Sequence, residues 1–415
     1  MSAVRESSDD LKKHACQTSW NALERDDPQT AAEALRPFAE ETASDEELAQ
    51  VWIAMLGSLE DLAHLEREVR RLARYWAATS PIVLETCRSI RRAWGRQAGP
   101  LPPAPRDSLI GLGVDLLDHC LEEAPPPDPE ERASLFIERA LLLSWAGPLG
   151  DERLLSDLEI ALTLCPDRWE AWFCLVRAHL SRGRWSKAAL ACEEALRTGA
   201  PPQKIGWNLA VALTGCAPSS PEGVRSLREA WRMSGHEELA EEGISDRQGR
   251  VMGGGYERQL VALNAHMVAI GGGWDSQQEW SLEVVWVQPL SPCHGRILHG
   301  TARTFPADFD DLIIWDPQPV RFTVFEGEER PVMGAIAILE RGDALSRPLP
   351  RPRLTHKQLT QLNRALPQGV IFHQPEDGSS STGKLSWPRG EPAFRVAQAF
   401  NQIWDMLSLP TPSKE

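Results

Sequence analysis

The chain has 415 residues, 42% of them hydrophobic and 25% charged, with 44 Lys and Arg against 59 Asp and Glu for a formal charge of −15. That balance belongs to a globular protein of two or three domains and excludes a disordered or collagen-like one. No apolar run reaches the roughly 20 residues of a membrane-spanning helix. The opening MSAVRESSDDLKKH is too polar for a secretory signal, and the eight scattered cysteines form no CxxC pair. Together these predict reduced thiols in a cytoplasmic protein.

Up to about residue 240 the apolar spacing is helical. Segments 45–57 and 108–122 repeat hydrophobic residues at three- and four-residue intervals. Breaks fall at Asp27-Pro28, at Thr79-Ser80-Pro81, across 100–106 and at Pro125, Pro127 and Pro129, dividing the run into helical pairs. This half also carries most of the charge, 28 Lys and Arg against 41 Asp and Glu over residues 1–249. An acidic surface argues against general affinity for nucleic acid, which depends on Lys and Arg. Two arginine-rich stretches stand out against it. Arg67, Arg70, Arg71 and Arg74, then Arg88, Arg91, Arg92 and Arg96, recur at helical spacing, so each set lies on one helix face. With Tyr75, Trp76 and Trp94 beside them they form a candidate patch for an acidic peptide, a phosphate or nucleic acid. The plainer alternative is a solvated face paired with Glu60, Glu66, Glu68 and Glu85.

One segment is more specific. DRWEAWFCLVRAHLSRGRWSKAALACEEALRTGAPP (167–202) has Trp172, Leu175, Ala178 and His179 on a first helix, Gly183 in a turn, and Ala188, Cys192 and Ala195 on a second. This pattern resembles the tetratricopeptide repeat, a helix-turn-helix unit that stacks on its neighbours. Segments 136–167 and 207–235 are similar; Arg139 in the first of these and Val176 in 167–202 replace the usual small or apolar residues. The resemblance covers 132–235 and extends in outline to 10–131. It implies an α-solenoid, residues 1–240, whose first helices line a peptide-binding groove. By position, that groove is Ile137, Leu141, Phe173, Arg177, Lys204, Trp207 and Asn208. Its mixed apolar and basic character implies an acidic-hydrophobic peptide as partner.

Past 240 the pattern changes. Residues 241–256 are polar and glycine-rich and predict a linker. After them, short β-type runs at 280–290, 295–302, 311–316, 319–327 and 331–343 alternate with tight turns, predicting a mainly antiparallel sheet or small barrel. Helices are expected at 355–367 and 392–407, with a strand pair at 369–373 and 384–387 between them. Residues 257–410 are thus an α+β domain.

Two stretches in this half raise chemical questions. GSSSTGK (378–384) satisfies the phosphate-loop pattern at Gly378, Gly383 and Lys384. Such a loop needs a helix directly after its lysine. Here Leu385-Ser386-Trp387-Pro388 follows, and Pro388 prevents that helix. The stretch predicts a polar hairpin tip and no nucleotide. CHGRILH (293–299), with Asp308, Asp310 and Asp311 downstream, supplies candidate metal or acid/base ligands at Cys293, His294 and His299. The expectation for the whole chain is a non-enzymatic adaptor or scaffold without metal or cofactor. The alternatives are a metal-dependent hydrolase in the C-terminal domain and an anion-binding arginine face.

Overall fold

The computed structural model describes residues 8–59, 61–95, 109–144, 151–263, 283–301, 307–325, 327–374 and 382–410. Its contacts divide the chain into two compact units, residues 1–178 with 197–199, and residues 179–196 with 200–415.

The first unit is helical: α1 (Ser8–Leu23), α2 (Pro28–Leu35), a 3-10 turn (Arg36–Ala43), α3 (Glu46–Ser58), α4 (Leu62–Trp76), α5 (Ser80–Gly95), α6 (Leu109–Glu123), α7 (Pro129–Leu143), α8 (Asp151–Leu164) and most of α9 (Trp169–Leu180). Two of the breaks in the sequence, at Asp27-Pro28 and at Pro129, are capping sites. Asp27, Asp45, Asp61 and Asp128 each accept a hydrogen bond from a backbone N–H of the following first turn, and Pro28 and Pro129 open their helices. Helix α3 is buried almost all round, from Leu48 through Leu56, as a central helix must be. A Cβ on Gly57 would stand 2.5 Å from that of Ser89, so glycine is what lets α3 and α5 touch.

Charge also enters this core. Arg139 on α7 forms a bidentate pair with Asp157 of α8, Nε to Oδ2 at 2.8 Å and Nη2 to Oδ1 at 2.7 Å, and its Nη1 reaches Asp118 of α6 at 2.8 Å. Asp157 is only 2% exposed. Three helices are thus joined through one guanidinium whose planar fork matches the carboxylate.

The second unit begins with α10 (Trp185–Arg197), α11 (Pro202–Cys216), α12 (Pro221–Met233) and α13 (Glu237–Glu242). The glycine-rich segment after them holds a hairpin, β1 (Ile244–Ser245) with β2 (Val251–Met252). The Asp246 carboxylate accepts the N–H groups of Gln248 and Arg250. Arg228 of α12 donates to the carbonyls of Ala240 and Gly243. Gly249, at φ +81°, lies so close to the Pro218 carbonyl that a Cβ would be 1.8 Å from its oxygen. Glycine here serves close approach.

A five-stranded closed barrel follows: β3 (Gln259–Ala262), β4 (Val284–Ser291), β5 (His294–Ile297), β6 (Leu312–Phe325) and β7 (Glu328–Glu340). Consecutive strands are antiparallel, so with an odd number the first and last must meet in parallel, as β3 and β7 do. Alternate residues fill the interior: Val261 and Leu263, Val285 and Val287, Ile313 and Trp315, with Ile297 and Ala335. Trp315 satisfies its indole N–H on the Pro292 carbonyl at 3.0 Å. The runs at 311–316 and 319–327, expected as two strands, are one. Pro317 and Pro319 sit where the pairing of β6 with β7 shifts register, at bulges that a proline can occupy without breaking the ladder.

The remaining sheet has the order β8 (Ala344–Pro350), β10 (Thr382–Pro388), β9 (Ile371–His373), all antiparallel. Helices α14 (His356–Ala365) and α15 (Ala393–Met406) share its core, where Phe372 meets Phe400 at 5.2 Å and Trp404 at 5.9 Å between ring centres. Thr355 and Gln358 cap α14 reciprocally.

Candidate functional site

Of the phosphate-loop-like stretch, Gly378 lies outside the described residues, while Gly383 and Lys384 are residues of strand β10. Gly383 is packed against Phe372, whose ring a Cβ would meet at 2.3 Å. Lys384 is 7% exposed. Its ammonium donates to Thr301 Oγ1 at 2.6 Å and to Asp308 Oδ2 at 3.0 Å. The other carboxylate oxygen of Asp308 accepts the N–H groups of Thr301 at 3.1 Å and Phe309 at 2.8 Å. The lysine therefore faces a carboxylate that is itself oriented by backbone, and the pair ties β10 to the chain leaving β5.

Two histidines adjoin this pair. His373 on β9 stands in register with Lys384. It is 7% exposed, and its Nε2 has no hydrogen-bond partner. Its ring lies 6.3 Å from that of His299 and 5.1 Å from that of Phe309. His299 Nε2 accepts the Trp286 N–H at 3.0 Å, and its Nδ1 lies 3.0 Å from the Gly300 carbonyl. Burial pushes His373 down to about 3, with His299 and Lys384 adding to the shift. Sequence reasoning did not single out His373. Its only signal was a place on the strand that pairs with Lys384.

The Cys-His-Asp ligands proposed from sequence are dispersed. His294 is fully buried at the start of β5, with Nδ1 bonded to Ser291 Oγ. Burial and Arg250 drive it down to about 3. Burial raises the Cys293 thiol to about 12, which leaves it an inert apolar group. Asp310 bonds the Asp343 N–H, and Asp311 accepts from Gly342 N–H at 2.8 Å and Arg341 at 3.0 Å. Among the described residues no three His, Cys, Asp or Glu side chains converge on a metal position.

Both buried histidines have a consequence for acid stability. Their folded values, about 3, lie below the 6.5 of a free histidine. Between those limits the unfolded chain binds the extra proton, so their contribution is complete above pH 6.5 and lost as pH falls. The slope is about 1.4 kcal/mol per pH unit for each histidine. Denaturant titrations at pH 7, 6 and 5 should show this loss. His179, which burial holds down to about 4, loses stability over the same range, so His294→Gln should flatten the slope by about a third or less, and an unchanged slope would show that His294 is already solvated.

The arginine faces are mostly paired. Arg70 binds Glu66 at 2.8 Å, and Arg71 binds Glu68 at 2.8 Å and Thr42 Oγ1 at 2.6 Å. Arg88 and Arg91 both reach Glu138, a buried residue of α7, at 3.5 and 3.2 Å. Arg92 donates to the Ala54 carbonyl and the Ser58 hydroxyl. Arg67 and Arg74 are exposed, next to Tyr75 at 60%. Arg96 lies outside the described residues.

The residues assigned to the repeat groove fall into different settings. Ile137 is buried, and Leu141, Phe173 and Arg177 are half-buried. On α9, Trp169, Phe173 and Arg177 follow at intervals of four on one face, with the Trp169 and Phe173 rings 6.4 Å apart. Lys204 is exposed, whereas Asn208 is 6% exposed and donates to the Lys204 carbonyl of its own helix. Trp207 packs edge-on against Trp231 of α12 at 6.0 Å and against His236 at 4.7 Å. That indole faces the next helix. Among the described residues no helix is long and apolar enough to cross a membrane. No protein-family model matches the chain, and no curated protein matches it in sequence.

Proposed function

We propose that the chain is a non-enzymatic, cytoplasmic adaptor of tetratricopeptide type that binds a protein or peptide partner through its helical half. The observation that carries this reading is the α9 face. Trp169 and Phe173 are large aromatic groups left half-exposed, in ring contact, one turn from a cation at Arg177. An aromatic pair with an adjacent guanidinium is the composition that dominates protein interfaces. The consecutive helix pairs α7–α8, α9–α10 and α11–α12 fall on the three segments that resemble the repeat. The eight free cysteines, five of them buried, support a reducing compartment. The barrel and its companion sheet serve in this reading as a second interaction module.

Truncation tests the assignment. Phe173→Ala should weaken partner capture about thirtyfold, the equivalent of about 2 kcal/mol for an interface anchor. Arg177→Glu should act mainly on association rate and salt dependence. Both variants should melt within a few degrees of wild type. Unchanged capture by folded Phe173→Ala would overturn the assignment of this face.

A further inference from the structure

Strand β6 outruns the barrel. Strand β5 pairs with it only over Leu312–Ile314, with one further bond from the Trp315 N–H to the Cys293 carbonyl. Strand β7 pairs with the other side of β6 as far as Phe325. Among the described residues no strand lies beside the outer edge of β6 from Val320 to Phe325. Pro317 and Pro319 bar further pairing upstream, and the turn at Gly327 ends the strand. Among the described residues the unpaired edge is therefore six residues, V-R-F-T-V-F. On one face Phe325 turns onto Trp286, ring centres 5.0 Å apart. On the other, Phe322 and Val324 are 59% and 73% exposed. An apolar edge of this length is a template for another strand.

We propose that this edge pairs with the same edge of a second copy of the chain, giving a symmetric antiparallel sheet in the order β7–β6–β6–β7. The sequence is complementary to itself in that arrangement. A two-fold axis at Thr323 sets Phe322 of each copy opposite Val324 of the other, an aromatic against a β-branched residue, twice. Six residues extend about 20 Å, an interface at the small end of the specific range. The pairing is accordingly weak and concentration-dependent, with Kd of roughly 10–100 µM. It uses none of the α9 face and does not depend on the adaptor reading.

Sedimentation velocity of the full chain, from ~1 to ~200 µM, tests it across that Kd range. The expected result is a shift from monomer to dimer for wild type. Val324→Lys and Phe322→Glu, both on exposed side chains, should remain monomeric with unchanged melting temperature. An equimolar mixture of the Val324→Lys and Phe322→Glu chains should dimerise again, because the register places the introduced ammonium of one chain opposite the introduced carboxylate of the other. A monomeric wild type at the highest concentration would overturn the proposal and leave the edge to a strand from another protein. So would a Val324→Lys chain that dimerises like wild type, or a mixture that stays monomeric while wild type dimerises.

Discussion

Lys384→Met is expected to destabilise the full-length chain by about 1.5–3 kcal/mol, the contribution of hydrogen bonds to a charged group, because the Asp308 side chain it leaves behind is itself 27% exposed. The lysine is 7% exposed, and its ammonium stands 3.0 Å from a carboxylate oxygen of Asp308. Its removal also takes a donor from the Thr301 hydroxyl. Combining it with Asp308→Asn should recover more than half of the loss. The asparagine oxygen can still accept the Thr301 and Phe309 N–H groups that the carboxylate accepts, while the uncompensated charge is gone. Urea denaturation monitored by tryptophan fluorescence measures both variants. A loss under about 1 kcal/mol would place Lys384 in solvent, where ion pairs contribute that little.

Arg139→Met should cost more, about 3–5 kcal/mol, because it leaves a buried carboxylate without its partner. The geometry is more demanding here, because Asp157 is 2% exposed and receives both ends of the guanidinium fork. Arg139→Lys should recover little, since an ammonium cannot donate to two oxygens of Asp157 and to Asp118 at once in the plane that the fork provides. Arg139→Met with Asp157→Leu should return most of the stability, because apolar replacement of a whole buried pair is often neutral. If Arg139→Lys were as stable as wild type, the bidentate geometry would not be what holds α6, α7 and α8 together.

Much of the fold could be read locally. Asp27-Pro28 and Asp128-Pro129 are helix starts because the aspartate accepts first-turn N–H groups and proline needs no donor there. Period-two runs placed most barrel strands. Strand β3 was missed because it is four residues long beside a glycine run. Strand β8, ALSRPLP, was missed because its two prolines hide an edge strand. The site was less legible. The partners of Lys384 lie 76 and 83 positions away along the chain, and no local pattern brings them together. Arg139 departs from the repeat pattern because its guanidinium pairs with Asp157 and Asp118, 18 and 21 positions away along the chain. Trp207 shows the limit of helical periodicity. It fixes which residues share a face but not whether Trp231 or solvent lies opposite.

The adaptor reading is tested most directly by hydrogen exchange on the complex between the full chain and a partner that Phe173→Ala fails to capture. Exchange reports backbone protection segment by segment, so it locates the contact without assuming which side chains make it. The account predicts added protection over 169–177, around Trp169, Phe173 and Arg177, with little change in the barrel. Protection confined to the barrel or to α14 and α15, with 169–177 exchanging as in the free protein, would contradict it.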